Sequence, residues 1–142
     1  MLLVQYTLIF ASVLLLVALG GCFSEHSGVI NIGLEGIMVS GALGGALTMS
    51  FLPSTTPAFF MVVMVVLISL LSGMFYSLLL AVASINFKAD QTLTGTAMNL
   101  LGTATACIIV RTINMSKNPD DVSTTVKYIQ EKEALMINIG KY

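Results

Sequence analysis

The chain has 142 residues, of which 56% are hydrophobic and 9% are charged, and its formal net charge is −1. A soluble domain carries about 25% charged residues, so this composition predicts an all-α integral membrane protein surrounded by lipid and excludes an ordinary soluble domain. The small net charge gives no argument for a nucleic-acid partner.

The first predicted span covers residues 2–22, which are almost entirely aliphatic and long enough to cross a bilayer. Two other interpretations compete with a span. A signal peptide would begin with positive charge, but no Lys or Arg precedes Lys88. The sequence LGGC, which ends at Cys22, fits a bacterial lipobox, although membrane-like composition resumes after it. A small lipoprotein or membrane anchor without a transport role therefore stays as an alternative.

The next two predicted spans are separated by a proline-containing turn. The second span covers residues 36–52, where Gly and Ser recur at four-residue spacing and predict a face that packs closely against another helix. Pro53 and Pro57 then bracket a polar turn that continues neither the second nor the third helix. The third span covers residues 58–85, carries no charge and is longer than a hydrocarbon core of about 30 Å requires.

The fourth predicted span covers residues 92–114 and differs from the others by its polar side chains at helical spacing. These are Thr92, Thr96, Asn99 and Thr103. Lipid cannot satisfy a polar stripe, so the stripe is expected to face protein or a hydrated cavity. Hydrogen bonding between helices is favoured for any single member, and contact with a transported solute stays open.

The composition changes after Met115. Residues 116–142 hold more than half of the charged side chains of the chain, and they predict an interfacial or soluble tail that follows a transmembrane domain of residues 1–115. A short amphipathic helix is expected in this tail, with Asp120 or Asp121 as its cap. Its apolar positions are Val122, Val126, Ile129 and Met136.

The segment FSEHSGVINIGLEG, residues 23–36, contains the carboxylates and the imidazole of the first 87 residues, namely Glu25, His26 and Glu35. A carboxylate inside a membrane costs about 2.5–3.5 kcal/mol on insertion scales, so it needs a partner, backbone donors or water. Repeated Gly and Ser disfavour one unbroken helix. We therefore predict a helix bundle with a discontinuous helix near residues 23–36 that faces a cavity.

The candidate site residues fall into three groups. Those expected to line or brace a solute pathway are Asn31, Glu35, Thr96 and Asn99. The polar residues of the motif loop are Ser24, Glu25, His26 and Ser27. The glycines expected to break the helix are Gly28, Gly33 and Gly36. For Glu25 and His26 an alternative is slightly favoured, in which they lie in a polar loop at the membrane surface and pair with each other or with water.

Two segments carry a resemblance to a known family. ALGGCFSEHSGVINIGLEGIMVSGA, residues 18–42, resembles a motif of bacterial ABC-transporter permeases for nucleosides, within the superfamily of branched-chain amino acid and simple-sugar permeases. FKADQTLTGTAMNLLG, residues 87–102, is similar to a second segment of these permeases. His26 stands where that family usually has Arg, so the charge there depends on pH.

The resemblance implies a multi-pass permease subunit of the bacterial cell membrane. Its implied partners are a second permease subunit, two ATP-hydrolysing subunits and an extracytoplasmic solute-binding lipoprotein. The solute would be a nucleoside or a similar polar compound, with simple sugars or branched-chain amino acids as alternatives. Family permeases are longer than this chain, which is expected to be either the N-terminal part of one or a product of a split gene.

No enzymatic activity is expected. The sequence lacks a phosphate-binding loop, so ATP would be used by the partner subunits and no cofactor is expected on this chain. A hydrolase would need a nucleophile–base pair or a metal motif, and the sequence has a single His. Cys22 and Cys107 show no metal-ligand spacing. We therefore predict no catalytic residues and no metal site.

Overall fold

The computed structural model describes residues 2–53 and 56–126. This part of the chain forms four α-helices, and each of them is long and apolar enough to cross a membrane. The expectation of an all-helical, multi-pass membrane protein is thereby confirmed. The helices are α1 (Leu2–His26), α2 (Leu34–Phe51), α3 (Ala58–Ile85) and α4 (Gln91–Lys117).

The helix ends differ from the predicted spans by about one turn or less. Helix α1 continues beyond residue 22 because the polar residues that follow still form helical hydrogen bonds and the chain turns only at Gly28. Helix α4 begins at the residue after Asp90, whose carboxylate accepts hydrogen bonds from the backbone N–H groups of Thr92 (2.8 Å) and Leu93 (3.0 Å). An Asp in this position is a strong N-cap.

Helix α2 is central, and small residues bring α3 against it. The Ser72 hydroxyl donates to the carbonyl of Ser40 at 2.9 Å. A Cβ added to Gly44 would lie 2.8 Å from Ser72 Cβ, and one added to Gly45 would overlap the Ser69 hydroxyl. The close packing that the four-residue spacing predicted is confirmed at this interface.

Helix α4 crosses the beginning of α2 at a short distance, and glycines form the contact. A Cβ added to Gly36 would lie 2.7 Å from the carbonyl oxygen of Met98, and one added to Gly102 would lie 3.0 Å from Gly36 Cα. Helix α1 stands beside this three-helix unit with none of its residues buried. It approaches α2 where Gly21 faces Leu34.

The segment after α4 folds back onto it. Asn114 is 2% exposed, and its Nδ2 donates to the carbonyls of Ser123 (3.0 Å) and Thr125 (2.9 Å). Residues 118–126 contain no helix, so the prediction of a helix that starts at Asp120 or Asp121 is wrong; Asp121 instead accepts from the Ser123 N–H in a turn. Ile129 and Met136 lie outside the described residues.

A polar loop between helices as candidate functional site

Helix α1 ends in a left-handed glycine turn. The Gly28 N–H donates to the Glu25 carbonyl (3.0 Å), the Val29 N–H donates to the Ser24 carbonyl (3.3 Å), and Gly28 has φ +81°. This pair of bonds is a Schellman motif, and Gly adopts the required φ without the strain that a Cβ causes. The helical path is therefore interrupted between His26 and Leu34, inside the segment where a discontinuous helix was predicted.

The polar side chains of the motif loop hold this turn together. The Ser24 hydroxyl donates to the Val29 carbonyl (2.9 Å), and the Ser27 hydroxyl donates to the Ser24 carbonyl (2.6 Å). His26 Nδ1 lies 3.0 Å from the Cys22 carbonyl, and Glu25 is exposed in the last turn of α1. Glu25 and His26 make no hydrogen bond or ion pair with each other, and contact of the two side chains with water at a membrane surface stays a prediction.

The loop enters the bundle at Gly33, below the end of α3. Gly33, which precedes α2, contacts α3 and α4: a Cβ added there would lie 3.4 Å from Leu80 Cδ2 and 3.6 Å from Gly95 Cα. Leu80 comes five residues before the end of α3 at Ile85. At 1.5 Å per residue, Leu80 lies about 7.5 Å below the end of α3, and α2 begins at about this depth. Residues 27–30 and 32 are exposed along this path, and the chain becomes buried at Gly33.

Two amide side chains fix the loop at its middle. Asn31 Oδ1 accepts from the Gly33 N–H at 3.1 Å, which forms a local turn before α2. Gln91, the first residue of α4, accepts from the Ile30 N–H through its Oε1 at 3.2 Å. Sequence reasoning missed the role of Gln91, since nothing in the local pattern indicates that its partner lies in a loop 61 residues away.

Asn99 of α4 clamps the start of α2. Its Oδ1 accepts from the Gly36 N–H at 2.8 Å, and its Nδ2 donates to the Ile32 carbonyl at 2.9 Å. The Gly36 N–H belongs to the first turn of α2 and has no partner within the helix, so the side chain satisfies an otherwise unpaired donor. Beside it, the Tyr76 hydroxyl of α3 donates to the Met98 carbonyl at 2.6 Å. Nothing in the local sequence around Tyr76 indicates this contact with α4.

The other two predicted pathway residues are not part of this clamp. Glu35 is exposed in the first turn of α2, where a negative charge interacts favourably with the helix dipole, and no described residue binds its carboxylate. Thr96 is exposed, and its hydroxyl donates to the Thr92 carbonyl of its own helix at 2.9 Å. The structure thus gives Asn31 and Asn99 backbone partners and leaves Glu35 and Thr96 on the surface of the described bundle.

The loop, the ends of α1 and α3, and the start of α4 surround an open cleft of about 320 Å³. Its polar lining residues are Ser24, Ser27, Asn31, Ser77, Ser84 and Gln91. Within residues 2–53 and 56–126, no group of three or more His, Cys, Asp or Glu side chains could hold a metal ion. The cleft therefore offers neutral hydrogen-bonding groups.

Comparison with known proteins gives the chain its relatives. The family described as branched-chain amino acid transport system / permease component matches residues 3–139. The guanosine ABC transporter permease protein NupQ of Bacillus subtilis (strain 168) is 40% identical over 123 residues, which are 84% of this chain and 37% of NupQ. The nucleoside ABC transporter permease protein NupC of Lactococcus lactis subsp. cremoris (strain MG1363) is 35% identical over 108 residues, which are 73% of this chain and 32% of NupC. No solved structure matches the chain.

The chain spans less than two fifths of the length of these two relatives. The resemblance inferred from residues 18–42 and 87–102 is confirmed. Since its four helices can each cross a bilayer, the chain is a multi-pass protein of the cell membrane. The chain belongs to the permease-component family of the branched-chain amino acid transport systems.

Proposed function

We propose that the chain acts in the permease of an ABC importer for a nucleoside or a similar polar, neutral solute. The observation that carries the proposal is the similarity to NupQ, a guanosine permease by its description, over 84% of this chain. The neutral amides and hydroxyls around the loop support it, because a nucleoside offers many donors and acceptors and no strong charge.

The proposed partners are a second permease subunit, two ATPase subunits and an extracytoplasmic solute-binding lipoprotein. ABC permeases in general imply ATPases and a binding protein, and the relatives are described as ABC transporter permeases. In this assembly the ATPases hydrolyse ATP and the binding protein supplies most of the selectivity. The present chain contributes part of the wall of the membrane passage.

The four pathway residues have two different tasks in this proposal. Asn31 and Asn99 brace the backbone around the start of α2, as their hydrogen bonds at 3.1, 2.8 and 2.9 Å indicate. Glu35 and Thr96 are exposed on the described bundle and face the passage that other parts of the transporter complete. Membrane lipid would not solvate the Glu35 carboxylate, so a hydrated or protein-lined surrounding fits it better.

A second candidate is an importer of branched-chain amino acids, which the family description favours. Such a solute is a zwitterion and needs charged partners. The residues that line the cleft in the described part of the chain carry no charge, which favours the nucleoside. Simple sugars are also neutral, so charge does not distinguish them from nucleosides. Competition between the two kinds of solute during uptake does.

Uptake of labelled guanosine tests this function. Cells without other nucleoside uptake would express the complete transporter that contains this chain, and unlabelled guanosine, glucose or leucine would compete. The proposal predicts uptake that only a nucleoside suppresses; suppression by leucine would move the assignment to the second candidate. Glu35→Ala should reduce uptake while membrane insertion is intact, and Glu25→Ala at the rim should reduce it less. Unchanged uptake in Glu35→Ala would remove Glu35 from the pathway.

A further inference from the structure

The cleft beside the loop is lined by both polar and apolar side chains. Polar groups come from the loop and from α1, α3 and α4, and the apolar side chains include Leu80 and Ile85 of α3. No charged residue lines it within the described part of the chain. Its volume of about 320 Å³ is at the lower end of the range of roughly 300–1,000 Å³ that small-molecule sites occupy.

The serine oxygens of the cleft are available as acceptors. All four serine hydroxyls donate their proton to a backbone carbonyl of their own helix or loop, at 2.6 to 2.9 Å. The donating residues are Ser24, Ser27, Ser77 and Ser84. A hydroxyl that donates one hydrogen bond still carries two lone pairs, so each oxygen can accept from a ligand.

The two amides supply donors. The Asn31 and Gln91 oxygens each accept from a backbone N–H, and this fixes which amide atom is oxygen. The Nδ2 of Asn31 and the Nε2 of Gln91 are without an acceptor among residues 2–53 and 56–126. Each NH₂ group can donate two hydrogen bonds. Donors and acceptors therefore meet in one neutral cleft that also presents apolar side chains.

We propose that this cleft is a station for the transported solute and that it accepts a neutral ring compound with donors and acceptors on its edge, as in a purine nucleoside. The proposal rests on the proposed function and adds a place and a chemistry to it. The ring face packs on Leu80 and Ile85, while the edge bonds to Asn31 and Gln91. A carboxylate or ammonium group is disfavoured, because the lining provides no counter-charge.

Protection of a cysteine by solute tests the location. Ser84→Cys places a thiol in the cleft with little change in size, in a background with Cys22→Ser and Cys107→Ser. Membranes carrying the complete transporter would be treated with a maleimide, with and without guanosine. The matched control is Phe87→Cys, which lies at the same end of the bundle, is 77% exposed and is outside the cleft. Ala81→Cys, which also lines the cleft, replaces Ser84→Cys if that variant does not insert.

The expected result is that guanosine slows modification of Ser84→Cys several-fold and leaves the rate of Phe87→Cys unchanged. If the same membranes take up guanosine but guanosine does not protect Ser84→Cys from the maleimide, only the cleft proposal is overturned. Absence of guanosine uptake in the unmutated transporter would contradict the proposed function and the cleft together. Modification that is slow in membranes, fast in detergent and insensitive to guanosine would identify lipid as the occupant and overturn the proposal.

Isosteric acids test the chemistry of the donors. Asn31→Asp and Gln91→Glu keep the oxygens that accept from Gly33 and Ile30 but remove the free NH₂ groups. The guanosine concentration that gives half protection should rise by about two- to tenfold in each, the effect of one lost hydrogen bond. Asn86→Asp makes the same change at an exposed site outside the cleft. An equal rise in Asn86→Asp, or no rise in the two cleft variants, would overturn the assigned donors.

Discussion

Asn99 of α4 and Gly36 of α2 are joined by a hydrogen bond of 2.8 Å, 63 residues apart in the sequence. The same amide also donates to the Ile32 carbonyl, so one side chain holds both the loop and the first turn of α2. Because Gly36 lacks a side chain, α4 approaches closely enough for this contact. The depth of the loop in the bundle depends on this pair.

Asn99→Ala should therefore lower the stability of the protein by about 2 kcal/mol, since two hydrogen bonds to backbone groups are lost and the Gly36 N–H is left without its partner. Thermal unfolding of the purified protein in detergent measures the change. Thr103→Ala is the control, because that hydroxyl donates only to its own helix at 3.0 Å. A change in Asn99→Ala no larger than in the control would show that the clamp contributes little.

Gly36→Ala should be destabilising for a steric reason. The added methyl group would meet the Met98 carbonyl oxygen at 2.7 Å and push α2 away from α4, at a cost of about 1–3 kcal/mol. Gly20→Ala is the matched control in α1, where nothing lies within 4 Å, so the better helix propensity of Ala makes it neutral or stabilising. Equal melting temperatures for the two variants would contradict the close crossing.

Gly28→Ala should destabilise through the backbone alone. Nothing lies within 4 Å of an added Cβ, but φ is +81°, and a left-handed conformation costs a residue with a side chain about 1–2 kcal/mol. Gly28→Asn should lose less, because Asn tolerates this conformation better. If Ala and Asn at this position unfold at the same temperature, the turn at the end of α1 differs from the one described.

Tyr76→Phe should cost about 0.5–1.5 kcal/mol, the usual contribution of one hydrogen bond, through loss of the 2.6 Å bond to the Met98 carbonyl. Its effect should be non-additive with that of Asn99→Ala, because both residues fix neighbouring backbone groups of the α2–α4 crossing. A double-mutant cycle on thermal stability measures this coupling. Strict additivity would mean that the two contacts act independently.

The four spans and the small-residue faces could be predicted from the sequence because each depends on a local property. Hydropathy and length identify a helix that crosses lipid, and Gly or Ser four residues apart share a face, as Gly41 and Gly45 do against Ser69 of α3. The helix break was predicted only as a segment, with Gly28, Gly33 and Gly36 as candidates. Gly28 ends α1 with a positive φ and Gly33 precedes α2, whereas Gly36 lies within α2 and breaks no helix.

The partners of individual polar residues could not be predicted. Asn99 and Thr96 lie in the same stripe of α4, yet Asn99 bonds to α2 and the preceding loop, whereas Thr96 bonds only within α4. Which of them meets another helix depends on the crossing of α2 and α4, and this is set by glycines far apart in the chain. Gln91 was missed for the same reason, since its contact with Ile30 exists only in the folded bundle.

Glu35 is expected to lie within the membrane and to face the hydrated passage, and maleimide labelling from water tests this location most directly. In a background with Cys22→Ser and Cys107→Ser, Glu35→Cys should react more slowly than Phe87→Cys at the rim of the bundle. It should react faster than Leu78→Cys, which is 54% exposed on the apolar helix α3. This order indicates a hydrated position within the membrane. Labelling of Glu35→Cys as fast as Phe87→Cys would place the residue in bulk solvent and contradict a role in the passage.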